Sequence, residues 1–254
     1  MIFDSHAHYD DRAFDEDRER ILEKLPAAGV GYVINVGSST KTSVSSIALA
    51  HTYDYIYAAV GVHPSDVPEL EDIGLDAIRH LAADEKSVAI GEIGLDYYWP
   101  EPDRDLQKKW FRAQLELARE LDMPVIIHSR DAAEDTYEIM KEAGGSSIRA
   151  VIHCFSYEKE MAKRFLDLGY YIGLGGVLTY KNGRKQKEVM ETLPLDRLLL
   201  ETDCPYLSPD GHRGERNSSL NLPIVIDEMA RIRGLDRSGI EDITCANAKR
   251  FYGL

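Results

Sequence analysis

The feature that most constrains the fold of this chain is a regular alternation of short, β-branched apolar runs with longer amphipathic runs. The short runs have the length and composition of buried strands, and the longer runs have the periodicity of helices. The predicted strands are residues 1–5, 32–36, 55–60, 88–90, 125–127, 150–153, 170–173 and 197–200. The predicted helices are residues 15–27, 42–51, 71–82, 104–121, 132–142, 158–168, 184–192 and 222–233.

The eightfold repeat of strand and helix determines the fold class that we expect. Alternating strands and helices form a parallel sheet covered by helices, and eight repeats predict an α/β fold of the closed (β/α)8 TIM-barrel type. An open doubly wound sheet of six or seven strands stays the alternative. No linker or change of composition interrupts the chain, so residues 1–254 are predicted to form a single domain. Residues 236–252 predict an extra C-terminal helix packed on the outside.

Histidines and carboxylates recur where the predicted strands end. His6 and His8 are one residue apart at the end of the first strand, so their side chains should point the same way. The other members of this set are Glu92 after the fourth strand, His128 and His153 at the ends of the fifth and sixth, and Asp203 after the eighth. Barrels of this type build their active sites at the carboxyl ends of the strands. Six side chains that are distant in the sequence are therefore expected to converge.

Four imidazoles and two carboxylates form a mixed nitrogen and oxygen ligand set that suits divalent ions such as Mg²⁺, Mn²⁺ or Zn²⁺. The set is large enough for two ions, with Glu92 as the natural bridge. Asp203 combines a position beside the metals with a proton-accepting group, so we predict that it is the general base; a role as ligand only stays open. Glu201 is predicted to support the ligands from outside, to bind a third metal, or to be a buried hydrogen-bonding residue.

Six motifs along the chain share the order and spacing of a known family. They are Asp-Ser-His-Ala-His at 4–8, Gly-Val-His-Pro at 61–64, Gly-Glu-Ile-Gly-Leu-Asp at 91–96, Pro-Val-Ile-Ile-His-Ser-Arg at 124–130, His-Cys-Phe at 153–155 and Glu-Thr-Asp-Cys-Pro-Tyr-Leu at 201–207. With these motifs the sequence resembles the TatD-type metal-dependent deoxyribonucleases, and the resemblance continues to Asn-Ala-Lys-Arg-Phe at 247–251.

The resemblance implies a (β/α)8 barrel and hydrolysis of DNA phosphodiester bonds, often from the 3′ end. It also implies divalent metals at the six residues His6, His8, Glu92, His128, His153 and Asp203. The sequence departs from the family around residues 213–219, because many relatives carry Lys where Glu215 stands and Glu-Pro where Ser218 and Ser219 stand. The polarity of this loop, and with it the substrate preference, is therefore left open.

The net charge of −14 limits how the chain can hold a nucleic acid. An acidic surface repels phosphate backbones, so local groups must bind the phosphates. We choose His63, Arg130 and Arg213 for these contacts, although packing against Pro64 also explains His63. DNA, including single-stranded DNA, is the expected partner, and we infer no obligate protein partner.

The apolar segments of the chain indicate its cellular location. No apolar run approaches the roughly 20 residues that span a bilayer, and no basic segment followed by an apolar one begins the chain, so we expect a cytoplasmic protein without a membrane segment.

Two rival functions stay open. The first rival function is an amidohydrolase acting on a cyclic amide or ester. Such barrels with two metals commonly use a carbamylated lysine after strand 4, where this chain has Glu92. The second rival is a metal-binding protein without catalysis.

Overall fold

The computed structural model describes the backbone of residues 1–254 and every side chain except those of Glu69 and Asp72. The strands are β1 (Ile2–Ala7), β2 (Val30–Val36), β3 (Ile56–Val60), β4 (Ser87–Asp96), β5 (Val125–Arg130), β6 (Ala150–Ile152), β7 (Tyr171–Leu174) and β8 (Leu198–Leu200). The α-helices are α1 (Arg18–Leu22), α2 (Thr40–Thr52), α3 (Asp72–Ala82), α4 (Arg104–Glu120), α5 (Ala133–Glu142), α6 (Lys159–Asp167), α7 (Arg184–Thr192), α8 (Leu222–Arg233) and α9 (Arg237–Tyr252). Short 3-10 turns lie at Arg12–Phe14, Pro26–Ala28, Val67–Glu69, Gly145–Ser147, Gly176–Thr179, Leu195–Arg197 and Ser219–Asn221. Among the described residues, no helix is long and apolar enough to cross a membrane.

The strands form one parallel sheet in which spatial order follows chain order from β1 to β8. The sheet closes where β1 meets the segment after β8. There Ala7 pairs with Cys204 in parallel, the Asp203 N–H donates to the His6 carbonyl at 2.9 Å, and the His8 N–H donates to the Cys204 carbonyl at 2.8 Å. The predicted (β/α)8 TIM barrel is confirmed, and the open-sheet alternative is wrong.

Buried apolar side chains lie on both faces of the closed sheet, as expected for parallel strands. One layer includes side chains from helices α1 to α9, and the other fills the barrel interior. The C-terminal helix α9 agrees with the predicted helix, and its last turn reaches into the interior layer. The Tyr252 ring stacks on Phe3 at 5.8 Å between centroids. Because Phe3 is near the start of β1, α9 covers the amino-terminal end of the barrel.

Strands β4 and β5 extend farthest beyond their predicted carboxyl ends. The prediction ends the fourth strand at residue 90, whereas β4 continues to Asp96 and pairs with β5 as far as Arg130. Glycines let the two strands approach closely. Gly94 has φ +145°, and a Cβ at this position would overlap the His128 carbonyl oxygen. Glu92 and His128 therefore lie within strands rather than after them.

The first helix is shorter than predicted. Residues 15–27 were expected to be helical, but α1 covers only Arg18–Leu22 and a 3-10 turn follows at Pro26–Ala28. Pro26 has no N–H to donate to a carbonyl in the preceding turn, so the α-helix cannot continue through it.

Candidate metal centre

The six predicted ligands come together at the carboxyl end of the barrel. They are His6 in β1, His8 just after β1, Glu92 in β4, His128 in β5, His153 just after β6 and Asp203 shortly after β8. A bulge in β1 helps to direct His6. Between Asp4 and Ala7, β1 has one residue more than the paired segment of β2 from Val33 to Asn35. Because an extra residue changes which face the following side chains point to, it brings His6 to the inner face that Phe3 also occupies.

Glu92 lies at the middle of the cluster and is almost fully buried. Its Oε1 is 2.7 Å from His128 Nδ1 and 2.7 Å from His153 Nε2. Its Oε2 is 3.4 Å from His6 Nε2 and 3.8 Å from His8 Nε2. Each carboxylate oxygen thus faces its own pair of imidazoles, which divides the centre into two halves that share Glu92.

Asp203 belongs to the first half, with His6 and His8. Its Oδ1 is 3.5 Å from His8 Nε2 and 3.7 Å from His6 Nε2, and the side chain keeps 17% of its surface exposed. Ligand atoms of these three residues lie within 4.8 Å of one another, which is close enough to hold one cation. The second half consists of His128 and His153.

Hydrogen bonds behind two of the imidazoles determine which nitrogen faces the centre. His8 Nδ1 is 2.7 Å from the Val36 carbonyl, to which only a protonated nitrogen can donate. When the His8 ring is neutral, its Nε2 lone pair is therefore directed at the centre. His128 Nε2 is 3.0 Å from Asp96 Oδ2, so in the neutral His128 ring the Nδ1 lone pair faces the second half. Metal-ligating histidines are oriented in this way, so the residues fit divalent cations.

The charges of the centre follow from its geometry. Burial alone would lower the pKa of His8, but the carboxylates of Asp203 and Glu92 outweigh it and raise the pKa to about 9. Burial is likewise outweighed at His128, where Asp96 and Glu92 raise the pKa to about 9. Both imidazoles therefore hold a proton more tightly than a free imidazole does. A cation can bind only as their protons leave.

The carboxylates of the centre are ionised. Burial would raise the pKa of Glu92, but the surrounding imidazoles hold it well below its usual range. Burial is also outweighed at Asp203, where His8 and the neighbouring imidazoles lower the pKa. Both groups are therefore available as ligands at neutral pH, and Asp203 is available as a proton acceptor.

Glu201 lies next to one histidine of each half. Burial raises its pKa to about 8. Its Oε1 accepts a hydrogen bond from the Cys154 N–H at 2.5 Å, and its Oε2 has no hydrogen-bond partner among the described residues. Ligand atoms of Glu201, His6 and His153 lie within 4.8 Å of one another. Glu201 is thus close enough to support either histidine.

The three predicted phosphate contacts lie in different surroundings. His63 is beside the second half, with Nε2 3.8 Å from Glu92 Oε1, and burial together with His128 lowers its pKa to about 3. The Arg130 guanidinium stacks on the Tyr98 ring at 3.8 Å, and that of Arg213 stacks on Tyr180 at 4.3 Å. Neither arginine forms an ion pair with a described side chain.

Sequence reasoning missed the role of Asp96. This residue is in the motif at 91–96, and it lies four residues after Glu92 in β4. Residues at this spacing in a strand share a face. The signal was therefore present, but it could be used only by extending the predicted strand beyond residue 90.

Comparison with known proteins gives a consistent family relationship. The family model described as TatD related DNase matches residues 3–253. The uncharacterized metal-dependent hydrolase YabD of Bacillus subtilis is 41% identical over 254 residues, covering 100% of both chains. The 3′-5′ ssDNA/RNA exonuclease TatD of Erwinia tasmaniensis is 34% identical over 259 residues, also covering 100% of both.

A solved structure extends the relationship to three dimensions. The crystal structure of YjjV, a TatD homologue from Escherichia coli, superposes with a TM-score of 0.94 at 32% identity. The match covers 100% of this chain and 98% of that one. The family, the barrel and the position of the cluster at the carboxyl end of its strands are thus consistent with one another.

Proposed function

Because the chain belongs to the family of TatD-related DNases and is a metal-dependent hydrolase, we propose that it hydrolyses DNA phosphodiester bonds with two divalent cations, Mg²⁺, Mn²⁺ or Zn²⁺. The proposed ligands are His6, His8, Glu92, His128, His153 and Asp203. The direction that we propose is removal of nucleotides from the 3′ end. The cytoplasmic location expected from the sequence belongs to the same proposal.

The observation that carries this proposal is the position of Glu92 between two pairs of imidazoles. Its two oxygens face different pairs, at 2.7 Å on one side and at 3.4 and 3.8 Å on the other. A carboxylate in this position can bridge two cations. When bound, the cations supply Lewis acidity to the phosphodiester and increase the acidity of the attacking water.

Asp203 is the proposed general base. Its lowered pKa keeps it ionised at neutral pH, and its partial exposure gives it access to a water that enters from the barrel mouth. It accepts the proton of the attacking water on a carboxylate oxygen. Glu201 is proposed to support the histidines of the centre from behind, because it is buried and close to both His6 and His153.

The substrate phosphates need positive or hydrogen-bonding groups near the centre, since the net charge of the chain is −14. Arg130 and Arg213 are proposed for this role because neither is ion-paired with a described residue. His63 is neutral at physiological pH and lies beside Glu92, so a ring N–H can donate to a phosphate oxygen.

The test uses single-stranded oligodeoxynucleotides labelled at the 5′ end. With Mg²⁺ or Mn²⁺ we expect a ladder of labelled products that shortens from the 3′ end, and exhaustive dialysis against a chelator should abolish it. Full hydrolysis after such dialysis contradicts the role of the cations. Hydrolysis of a cyclic amide or ester in place of every oligonucleotide would favour the amidohydrolase, and no turnover of any substrate would favour a binding protein.

A further inference from the structure

Three aromatic side chains are exposed to solvent, whereas the other aromatic side chains are buried or half-buried. The side chains of all Phe, Tyr and Trp residues are described, and the exposed ones are Tyr98, Trp99 and Tyr206, with 53, 55 and 54% of their surface accessible. Tyr98 and Trp99 follow β4, and Tyr206 follows β8. All three are thus at the end of the barrel where the candidate metal centre lies. We call these three residues the aromatic rim.

The aromatic rim is directly connected to the centre. The Tyr98 N–H donates to Asp96 Oδ1 at 3.0 Å, and the other oxygen of Asp96 contacts His128 at 3.0 Å. On the opposite side, the Tyr206 ring is 6.5 Å from the His8 ring between centroids. A chain that enters the centre must therefore pass close to these rings.

The segment that carries Tyr98 and Trp99 is held in place by buried hydrogen bonds. Gln107 accepts from the Asp96 N–H at 2.8 Å and donates to the carbonyls of Asp96 and Pro102 at 2.9 and 2.8 Å. The two rings meet edge to face at 4.9 Å. Because the loop is fixed at both ends, the exposed ring faces are preorganised, which reduces the entropy lost on binding.

Charge and shape at the rim fit one class of ligand. Arg130 covers one face of Tyr98 and is not ion-paired with a described side chain, so it offers a positive charge beside the rings. Flat aromatic faces next to a guanidinium match a nucleobase next to its phosphate. Neighbouring exposed aromatic side chains at the mouth of a site indicate a binding surface more strongly than a single exposed apolar side chain does.

We propose that the aromatic rim binds unpaired nucleobases of a single-stranded nucleic acid by stacking, with Trp99 as the main platform. The proposal rests on the proposed nuclease function, because the stacked strand would lead into the metal centre. Bases within a duplex have both faces covered by their neighbours. A duplex end must fray before its bases can reach the rim, so the rim gives the enzyme a preference for single strands.

Fluorescence tests the stacking without any hydrolysis. In excess chelator, an adenine-containing deoxyoligonucleotide should quench Trp99 emission saturably, since a base stacked on the indole deactivates its excited state. The other tryptophan, Trp110, is only 4% exposed and provides an unquenched background. An abasic oligonucleotide of the same length should quench weakly, and W99F should show no quenching. Equal quenching by the abasic strand, or quenching that persists in W99F, overturns the proposal.

Kinetics with cations present gives a second readout. Loss of one base–aromatic stack should raise KM by about 5- to 150-fold, so W99A and Y98A should lose efficiency mainly through KM, and W99F should recover most of it. The matched control is L235A, which truncates another exposed apolar side chain, between α8 and α9; it should behave as wild type.

Two outcomes separate this proposal from the nuclease proposal. If the wild-type protein cuts no oligonucleotide with Mg²⁺ or Mn²⁺, the nuclease proposal fails, and the fluorescence titration still decides whether the rim binds bases. If the protein cuts DNA but W99A loses the same factor on intact and abasic strands, stacking at the rim is contradicted.

Discussion

Glu92 places a single negative charge between four imidazoles, and both halves of the centre depend on it. Glu92→Gln keeps the shape of the side chain but removes this charge, so one cation should be bound much more weakly. We expect activity to fall at low Mn²⁺ and to recover partly as Mn²⁺ is raised. Metal content by mass spectrometry, measured at the same concentrations, should rise in parallel, and a loss of activity at full occupancy would contradict the bridging role.

Asp203 tests the proton transfer separately from metal binding. Asp203→Asn retains one carbonyl oxygen but can no longer accept the water proton, so turnover should fall by a factor of about 10²–10⁴. Extra metal should not restore it once the sites are full. If the variant with full metal content cleaves DNA at nearly the native rate, Asp203 is a ligand only, and Glu201 becomes the next candidate for the base.

The number of bound metal ions distinguishes a supporting role of Glu201 from a role as metal ligand. If Glu201 supports His6 and His153, Glu201→Gln should weaken cation affinity by about 10- to 100-fold. The number of ions bound at saturation should not change. Isothermal titration of the dialysed protein gives both values. Three ions in the wild-type protein and two in the variant would instead make Glu201 a ligand of a third metal.

Some residues of the candidate site could be predicted from the sequence, and others could not. The six proposed ligands could be selected because each stands at the end of an apolar run, and the closed barrel brings such ends together. Asp96 could not be selected, since its role depends on the extent of β4. The contact between His63 and Glu92 also could not be predicted without the fold, because their distance depends on how the segment after β3 turns inward.

At the level of secondary structure, the pairing of β4 with β5 positions His128. Gly94→Ala would place a Cβ against the His128 carbonyl at a backbone φ of +145°, so we expect a loss of unfolding free energy of about 2 kcal/mol or more and weaker metal binding. Denaturant titration and metal titration measure the two effects.

Gly169→Ala is the matched control for this change. Gly169 also has positive φ, +83°, but no atom lies within 4 Å of a Cβ built there. Gly169→Ala should lower the free energy of unfolding only by the backbone strain of about 1–2 kcal/mol. Its metal affinity should be unchanged. Equal effects of both substitutions on metal binding would contradict the argument that β4 packing positions His128.

The elements that the sequence predicted well are those with uninterrupted patterns. Strands β2 and β3 and helices α3 and α7 agree closely with the predicted ranges. The predicted fourth strand ends just before Gly91. Glycine usually weakens a strand, whereas here close packing against Ile126 requires Gly91. Such a requirement comes from the neighbouring strand and is not visible in the local sequence.

For the molecule as a whole, the ionisable groups of the centre make stability in chelator depend on pH. The folded-state pKa values of His8 and His128 are raised from 6.5 to about 9, so their stabilising contribution is complete below pH 6.5 and is lost as pH rises through 9. Glu201, with its pKa raised to about 8, acts in the same direction. In chelator, the free energy of unfolding should therefore fall between pH 6.5 and 9.

Bound cations should remove this dependence, because they replace the protons of both histidines. Denaturant unfolding at pH 6.5, 7.5 and 9, with chelator and with Mn²⁺, measures the two slopes. A flat curve in chelator would mean that His8 and His128 are neutral in the cation-free protein.

The closure of the barrel between β1 and the segment after β8 has a consequence for biosynthesis. His6 and Asp203 belong to the same half of the centre, and the Asp203 N–H donates to the His6 carbonyl. A nascent chain on the ribosome cannot complete this half before residue 203 has left the exit tunnel. The proposed metal centre is therefore completed late in synthesis, after all eight strands from β1 to β8 have emerged.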